Sequence, residues 1–197
     1  MTKDNRKEIR KRFLGEIKSA FSLIVLSNKV EFKILPRYKS MIAELCFLKI
    51  YLAWEKLLGD SFTNFMIIDN NRYSFVRPLS NKHAEEIINE GKSYSDWDYE
   101  KAIKKSNRFF KKNFPVPRVI SLISSELEDM KTIRNRIAHN SKLSEKNFIE
   151  LVRKKRGYLP AKICPGDFLL SYDKNTGRTY FETYSNLLNI ACLKITK

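Results

Sequence analysis

Histidine is nearly absent from this chain: its 197 residues include two, His83 and His139. Imidazole is the side chain that exchanges a proton near neutral pH, so acid–base chemistry has few places to sit. Cysteine is scarce as well. Cys46, Cys164 and Cys192 are odd in number and far apart, with no pair at metal-ligand spacing. They read as small buried hydrophobes in a reducing cytosol, and neither a metal nor a cofactor is expected. Long apolar runs are also missing. Near the start the longest, Ala20–Leu26, is broken by Ser22 and falls far short of the ~20 residues a membrane-crossing helix needs. The first residues mix both charge signs without a cleavage site, unlike a signal peptide. The expected location is cytoplasmic. Acidic residues are outnumbered, 22 against 38 Lys and Arg, for a net charge of +16. Such a field draws in nucleic acid or anionic lipid. No amphipathic anchor with an exposed Trp supports the lipid reading, so no membrane partner is expected.

What is present suffices for a core. Hydrophobic residues make up 43% of the chain and charged residues 30%, which fits one domain over 1–197. The expected helical core spans about 7–153, followed by a basic segment, a hairpin and a final helix over about 154–197. Ile9, Phe13, Ile17, Ala20, Phe21 and Ile24 recur at helical spacing from about Lys7 to Leu26. Val30–Leu35 has extended character. Tyr38 to Ile68 holds the longest apolar-periodic segment, with Met41, Leu45, Leu48, Leu52, Leu57, Phe62 and Phe65. It reads as a central helix buried on more than one side, ended or bent at Gly59. Residues 69–98 read as a surface insertion with a helical patch at His83–Asn89, and His83 is expected on the surface. Pro115 and Pro117 interrupt, and a helix resuming near Val119 carries the stripe Ile123, Leu127, Met130, Ile133 and Ile137. A left-handed residue at Asn140 would end it. In the tail, Asp167–Tyr172 and Arg178–Phe181 flank Asp173-Lys174-Asn175-Thr176-Gly177, a hairpin signal. No internal repeat or low-complexity tract occurs.

The chemistry-bearing residues lie near the end of that stripe, in Arg134-Asn135-Arg136-Ile137-Ala138-His139-Asn140-Ser141. A histidine moves the proton. An arginine holds a phosphate that gains charge in the transition state. Together they are the minimum set for cutting RNA without a metal. Asn135 and His139, four residues apart, share a helix face, so the amide can orient the imidazole. Arg134 and His139 stand about 140° apart on an ideal helix. One phosphate is reached by both only if the helix loosens at Ala138–Asn140, or if a second chain brings a matching set, which favours a dimer with a composite site. The neutral imidazole would take the proton of a ribose 2′-hydroxyl, leaving a 2′,3′-cyclic phosphate. DNA, lacking that nucleophile, would be inert.

Ile133-Arg134-Asn135-Arg136-Ile137-Ala138-His139-Asn140 resembles the signature of the HEPN superfamily, an arginine, a polar residue and a following histidine on the last long helix of a bundle. Leu52-Ala53-Trp54-Glu55 looks like the Ala-Trp-Glu of its RiboL-PSP-associated branch. Gly157-Tyr158-Leu159-Pro160 with Pro165–Leu170 is similar to extensions of defence-type HEPN proteins. The resemblance implies an all-α HEPN-like bundle and a metal-independent endoribonuclease that dimerises through the motif helices. It also implies a toxin–antitoxin or antiphage setting, with a cognate antitoxin or other defence protein as partner. Arg134 and His139 become the catalytic pair and Asn135 their polar companion. Some HEPN toxins carry an acid and a lysine before the arginine; Asp129 matches the acid, whereas Ile133 stands in place of the lysine. The alternative is a non-catalytic HEPN module that binds RNA or a partner protein.

Other candidates carry two readings each. Glu55, a carboxylate inside an apolar run, is a buried partner for a basic residue such as Arg134. Arg136, Asn140 and Ser141 flank the motif as phosphate contacts, although Asn140 and Ser141 are also helix-ending residues. The run Arg153-Lys154-Lys155-Arg156 is a phosphate candidate that closely follows the motif. Lys101–Lys112, with Phe109 and Phe110, is either an RNA surface on which a base stacks or core aromatics beneath solvated lysines.

Overall fold

Helices account for every regular element in the computed structural model, which describes residues 5–29, 35–68, 73–91, 97–160 and 162–197. They are α1 (Arg6–Ser27), α2 (Pro36–Ile68), α3 (Asn81–Ile88), α4 (Tyr99–Phe109), α5 (Pro115–Leu122), α6 (Ser124–Ala138), α7 (Lys142–Arg156), α8 (Pro165–Leu170) and α9 (Tyr180–Ile195). The class is all-α. Among the described residues the only β pairings are two isolated bridges, Ser74 with Phe110 and Tyr172 with Thr179. No described helix is long and apolar enough to cross a membrane.

The chain forms two compact units. One comprises Met1–Leu14, Ala53–Ser124 and Ile190–Lys197; the other comprises Gly15–Leu52 and Ser125–Asn189. The first is built on aromatics. Phe62 meets Trp97, Phe110 and Phe114 at centroid distances of 4.7, 5.2 and 5.1 Å, and Phe110 stacks on Phe114 at 4.0 Å. Phe109, Phe110 and Phe114 are therefore core, and the stacking role open to Lys101–Lys112 loses its rings. Gly59 does not break α2. A Cβ there would come within 3.0 Å of the Trp97 indole nitrogen, so the missing side chain makes room for that ring. Pro115 and Pro117 do not delay the next helix either. Pro115 opens α5 at its first position, where a missing N–H costs nothing. That helix ends at Leu122 with Ile123 as its C-cap, so the expected helix from Val119 is split, and the stripe from Leu127 to Ile137 lies in α6. His83 is half-buried rather than exposed: its Nδ1 accepts the Leu79 amide at 3.2 Å at the head of α3.

In the second unit Phe21 packs edge-on to Phe181 at 5.3 Å, and Phe168 stacks on Tyr180 at 4.3 Å and meets Phe148 at 5.9 Å. The expected C-terminal hairpin is absent. Its turn exists, with Gly177 at φ +66°, but the flanks are helical. Pro165 at the first turn and the capping Cys164 start α8, while Tyr180, Phe181, Tyr184 and Leu188 recur at helical rather than alternating spacing and are buried in α9. The first half of α2 also departs from expectation. Met41, Leu45 and Leu52 face outward, and Ala43, Cys46, Phe47 and Ile50 form the buried face. Val30–Ile34 lies outside the described residues.

Within this unit α8 packs tightly against α2. The Gly166 amide donates to Glu44 Oε1 at 2.9 Å, and the Ser40 hydroxyl donates to Asp167. A Cβ on Gly166 would sit 2.1 Å from the Ser40 carbonyl oxygen. Backbone blocks it, not a pliable side-chain tip. Gly166→Ala is expected to destabilise the chain by about 3 kcal/mol, the upper end for overpacking, measured by urea unfolding. A loss below about 0.5 kcal/mol would contradict the contact.

Candidate active site

Leu127, Met130 and Ile133 are the buried face of α6, so the next turn is carried to its rim. Arg134, Asn135, Arg136 and Ile137 are half-buried; Ala138 and His139 are exposed. The His139 amide still donates to the Asn135 carbonyl at 2.9 Å, so the helical path runs unbroken to the histidine. The helical path is kept as far as the His139 amide, and on ideal helical spacing Arg134 and His139 stand about 140° apart. Asn135 serves the arginine: its Oδ1 accepts from Arg134 Nη1 at 3.1 Å. That bond engages the amide oxygen and leaves the amide N–H groups for the imidazole.

Behind His139 the chain is pinned. Ser141 caps α7, its hydroxyl accepting the Ser144 amide at 3.1 Å while the Ser144 hydroxyl accepts the Ser141 amide at 3.3 Å. The Ser144 hydroxyl also donates to the His139 carbonyl at 2.6 Å. Asn140 does not take the expected left-handed conformation; among the described non-glycine residues Glu90 alone has a positive φ. The turn from α6 to α7 is held by this capping box. Arg136 donates to Asn140 Oδ1 at 3.2 Å and lies 4.0 Å from Glu145. Ser141 is thus a cap, and Arg136 and Asn140 form one pair beside the histidine.

The basic run divides. Arg153 and Lys154 are exposed in the last turn of α7. Lys155 Nζ lies 2.5 Å from Asp129 Oδ2, which is buried, and the Arg156 guanidinium donates to the Tyr158 hydroxyl and rests over its ring at 4.8 Å. Asp129 therefore ties α6 to α7, and of the run only Arg153 and Lys154 are exposed. Burial, reinforced by the Asp129 carboxylate, pushes the Tyr184 phenol well above its ordinary range. Burial also raises the Tyr180 phenol, whose hydroxyl donates to the Lys155 carbonyl at 3.2 Å. Neither ionises near neutral pH. Glu55 is buried in the first unit, whereas Arg134 belongs to the second.

A groove of about 420 Å³, lined among others by Arg136, Glu145, Phe148, Leu159, Lys162 and Cys164, adjoins the motif through Arg136. Sequence reasoning did not single out Lys162 or Glu145; the signal was the Gly157-Tyr158-Leu159-Pro160 turn that brings the chain back beside α7. The larger cavity, about 490 Å³ and lined by Glu8, Arg12, Asp60 and Asn64, belongs to the first unit and contains no motif residue. No group of three His, Cys, Asp or Glu side chains that could hold a metal ion occurs among the described residues. No protein-family model, curated protein or solved structure matches the chain.

Proposed function

We propose that this chain is a HEPN-type, metal-independent endoribonuclease acting as a homodimer in a bacterial defence or toxin–antitoxin setting. The observation that carries the reading is Arg134, its guanidinium held by Asn135 at 3.1 Å, on the same helix end as the exposed His139. A net charge of +16, with Arg153 and Lys154 exposed nearby in sequence, supports a polyanionic substrate.

In this mechanism the His139 imidazole removes the proton of a ribose 2′-hydroxyl. The 2′-oxygen bonds to the adjacent phosphorus, and Arg134 neutralises the equatorial oxygens of the phosphorane. The bond to the 5′-oxygen breaks as a second imidazolium, from the partner copy, returns a proton to it. Ideal helical spacing up to the end of α6 at Ala138 favours a composite centre that draws its arginine and histidines from two copies. A cognate antitoxin or other defence protein would regulate access.

A second reading, a HEPN module that binds RNA or a partner protein without cutting, is favoured by one observation. The Asn135 oxygen is bonded to Arg134, which leaves the amide N–H groups alone to orient the imidazole. The experiment is incubation of the purified chain with total RNA, tRNA and single-stranded DNA in excess EDTA. Cleavage of RNA alone is the expected outcome; intact RNA after long incubation supports the binding module instead.

A further inference from the structure

The first half of α2 carries two apolar faces, and the fold uses one. Ala43, Cys46, Phe47 and Ile50 are buried, while Tyr38, Met41, Leu45 and Leu52 are 44%, 55%, 58% and 52% exposed. With the half-buried Leu48 they form one row whose members stand alternately three and four residues apart, the a/d repeat of a coiled-coil seam. Single exposed hydrophobes are ordinary on a protein surface; a continuous row of them is not. The motif helix offers no equivalent. Among the described residues, α6 exposes no large apolar side chain.

We infer that this row is the seam on which a second copy of the chain docks, through its own α2, parallel and in register. Two features select that occupant. An a/d row accepts knobs from a helix with the same repeat, and the chain supplies one in itself, which makes the contact isologous about a two-fold axis. The flanking charges also fit. With Tyr38, Leu45 and Leu52 at position a, Glu44 falls at g and Lys49 at the following e. In a parallel pair these are the positions that meet across the seam, and symmetry forms the Glu44–Lys49 pairing twice. An antiparallel pair sets g against g and e against e, and gains neither. Both groups are within reach of solvent: Lys49 is an exposed cation near Glu16 at 3.0 Å, and Glu44 is half-buried with Oε1 on the Gly166 amide. The seam stands independently of any ribonuclease activity and is distinct from the contact through the motif helices that the HEPN resemblance implies.

Sedimentation equilibrium of the full chain tests it. The expected result is a concentration-dependent dimer whose dissociation constant rises at least ~30-fold in Leu45→Glu, the loss typical of a central interface residue. Leu45 is exposed, so the circular dichroism melt of the variant should match that of the parent. A second variant fixes the direction: under mild oxidation Tyr38→Cys should form a disulfide between the two copies of residue 38. A monomeric parent, or a Leu45→Glu variant that dimerises as well as the parent, overturns the seam. A Tyr38→Cys dimer that does not cross-link overturns the parallel register.

Discussion

Alanine at His139 is expected to lower RNA cleavage by at least about 10²–10⁴-fold, the contribution of one general acid–base step, because a homodimer of the variant loses both imidazoles, with little change in stability. The two halves of that statement have separate grounds. The imidazole is exposed beyond the last residue of α6, so its removal opens no cavity in the core. The backbone around it is held by the Ser141–Ser144 capping box and the Ser144 bond to the His139 carbonyl, neither of which needs the ring. Arg134→Ala should produce a loss of similar size through the phosphorane oxygens. Arg134→Lys should recover only part of it, because an ammonium cannot reproduce the planar fork that Asn135 holds. Single-turnover cleavage of a defined RNA, paired with thermal melts, checks the series. If His139 and Arg134 come from different copies, an equal mixture of the two inactive alanine variants should regain part of the activity through mixed dimers. Parent-level activity in either alanine variant alone would remove the assigned chemistry.

Lys155→Met should cost the fold about 3 kcal/mol. Removing one partner from a buried ion pair typically costs about 3–5 kcal/mol because the remaining charge is stranded. Asp129 is the deeper partner, its side chain 5% exposed against 24% for Lys155, which places the effect at the lower end. The double variant Asp129→Asn with Lys155→Met removes the stranded charge and should recover most of the stability. Urea unfolding of the parent, both single variants and the double variant gives the coupling. Additive losses would mean that the pair contributes nothing as a pair.

That ion pair also marks the reach of sequence reasoning. Arg153-Lys154-Lys155-Arg156 reads as one phosphate-binding run, because charge alone does not distinguish a lysine folded against a buried Asp129 from one in water. α1 was legible because Ile9, Phe13, Ile17, Ala20 and Ile24 recur along one face and are all buried, although Leu23, Val25 and Leu26 near its end are exposed. α2 misled because its first half carries two apolar faces, so periodicity identifies a helix without saying which face enters the core. The tail misled for a related reason. Asp173–Gly177 is a turn, but Phe168–Leu170 and Tyr180–Phe181 are too short for alternation to be told from helical spacing, and the cap at Cys164–Pro165 decided for the helix. At the candidate site the rim position of Arg134 and the exposed end at His139 follow from the stripe of α6. The choice of Asn135 for Arg134 is set by side-chain geometry that spacing does not encode.

The most direct measurement of the central claim is the chemistry of the RNA ends left by the purified chain in excess EDTA. The account predicts fragments ending in 2′,3′-cyclic phosphate and 5′-hydroxyl, and their absence with His139→Ala. Products bearing 5′-phosphate and 3′-hydroxyl, or identical products from the His139→Ala protein, would contradict it.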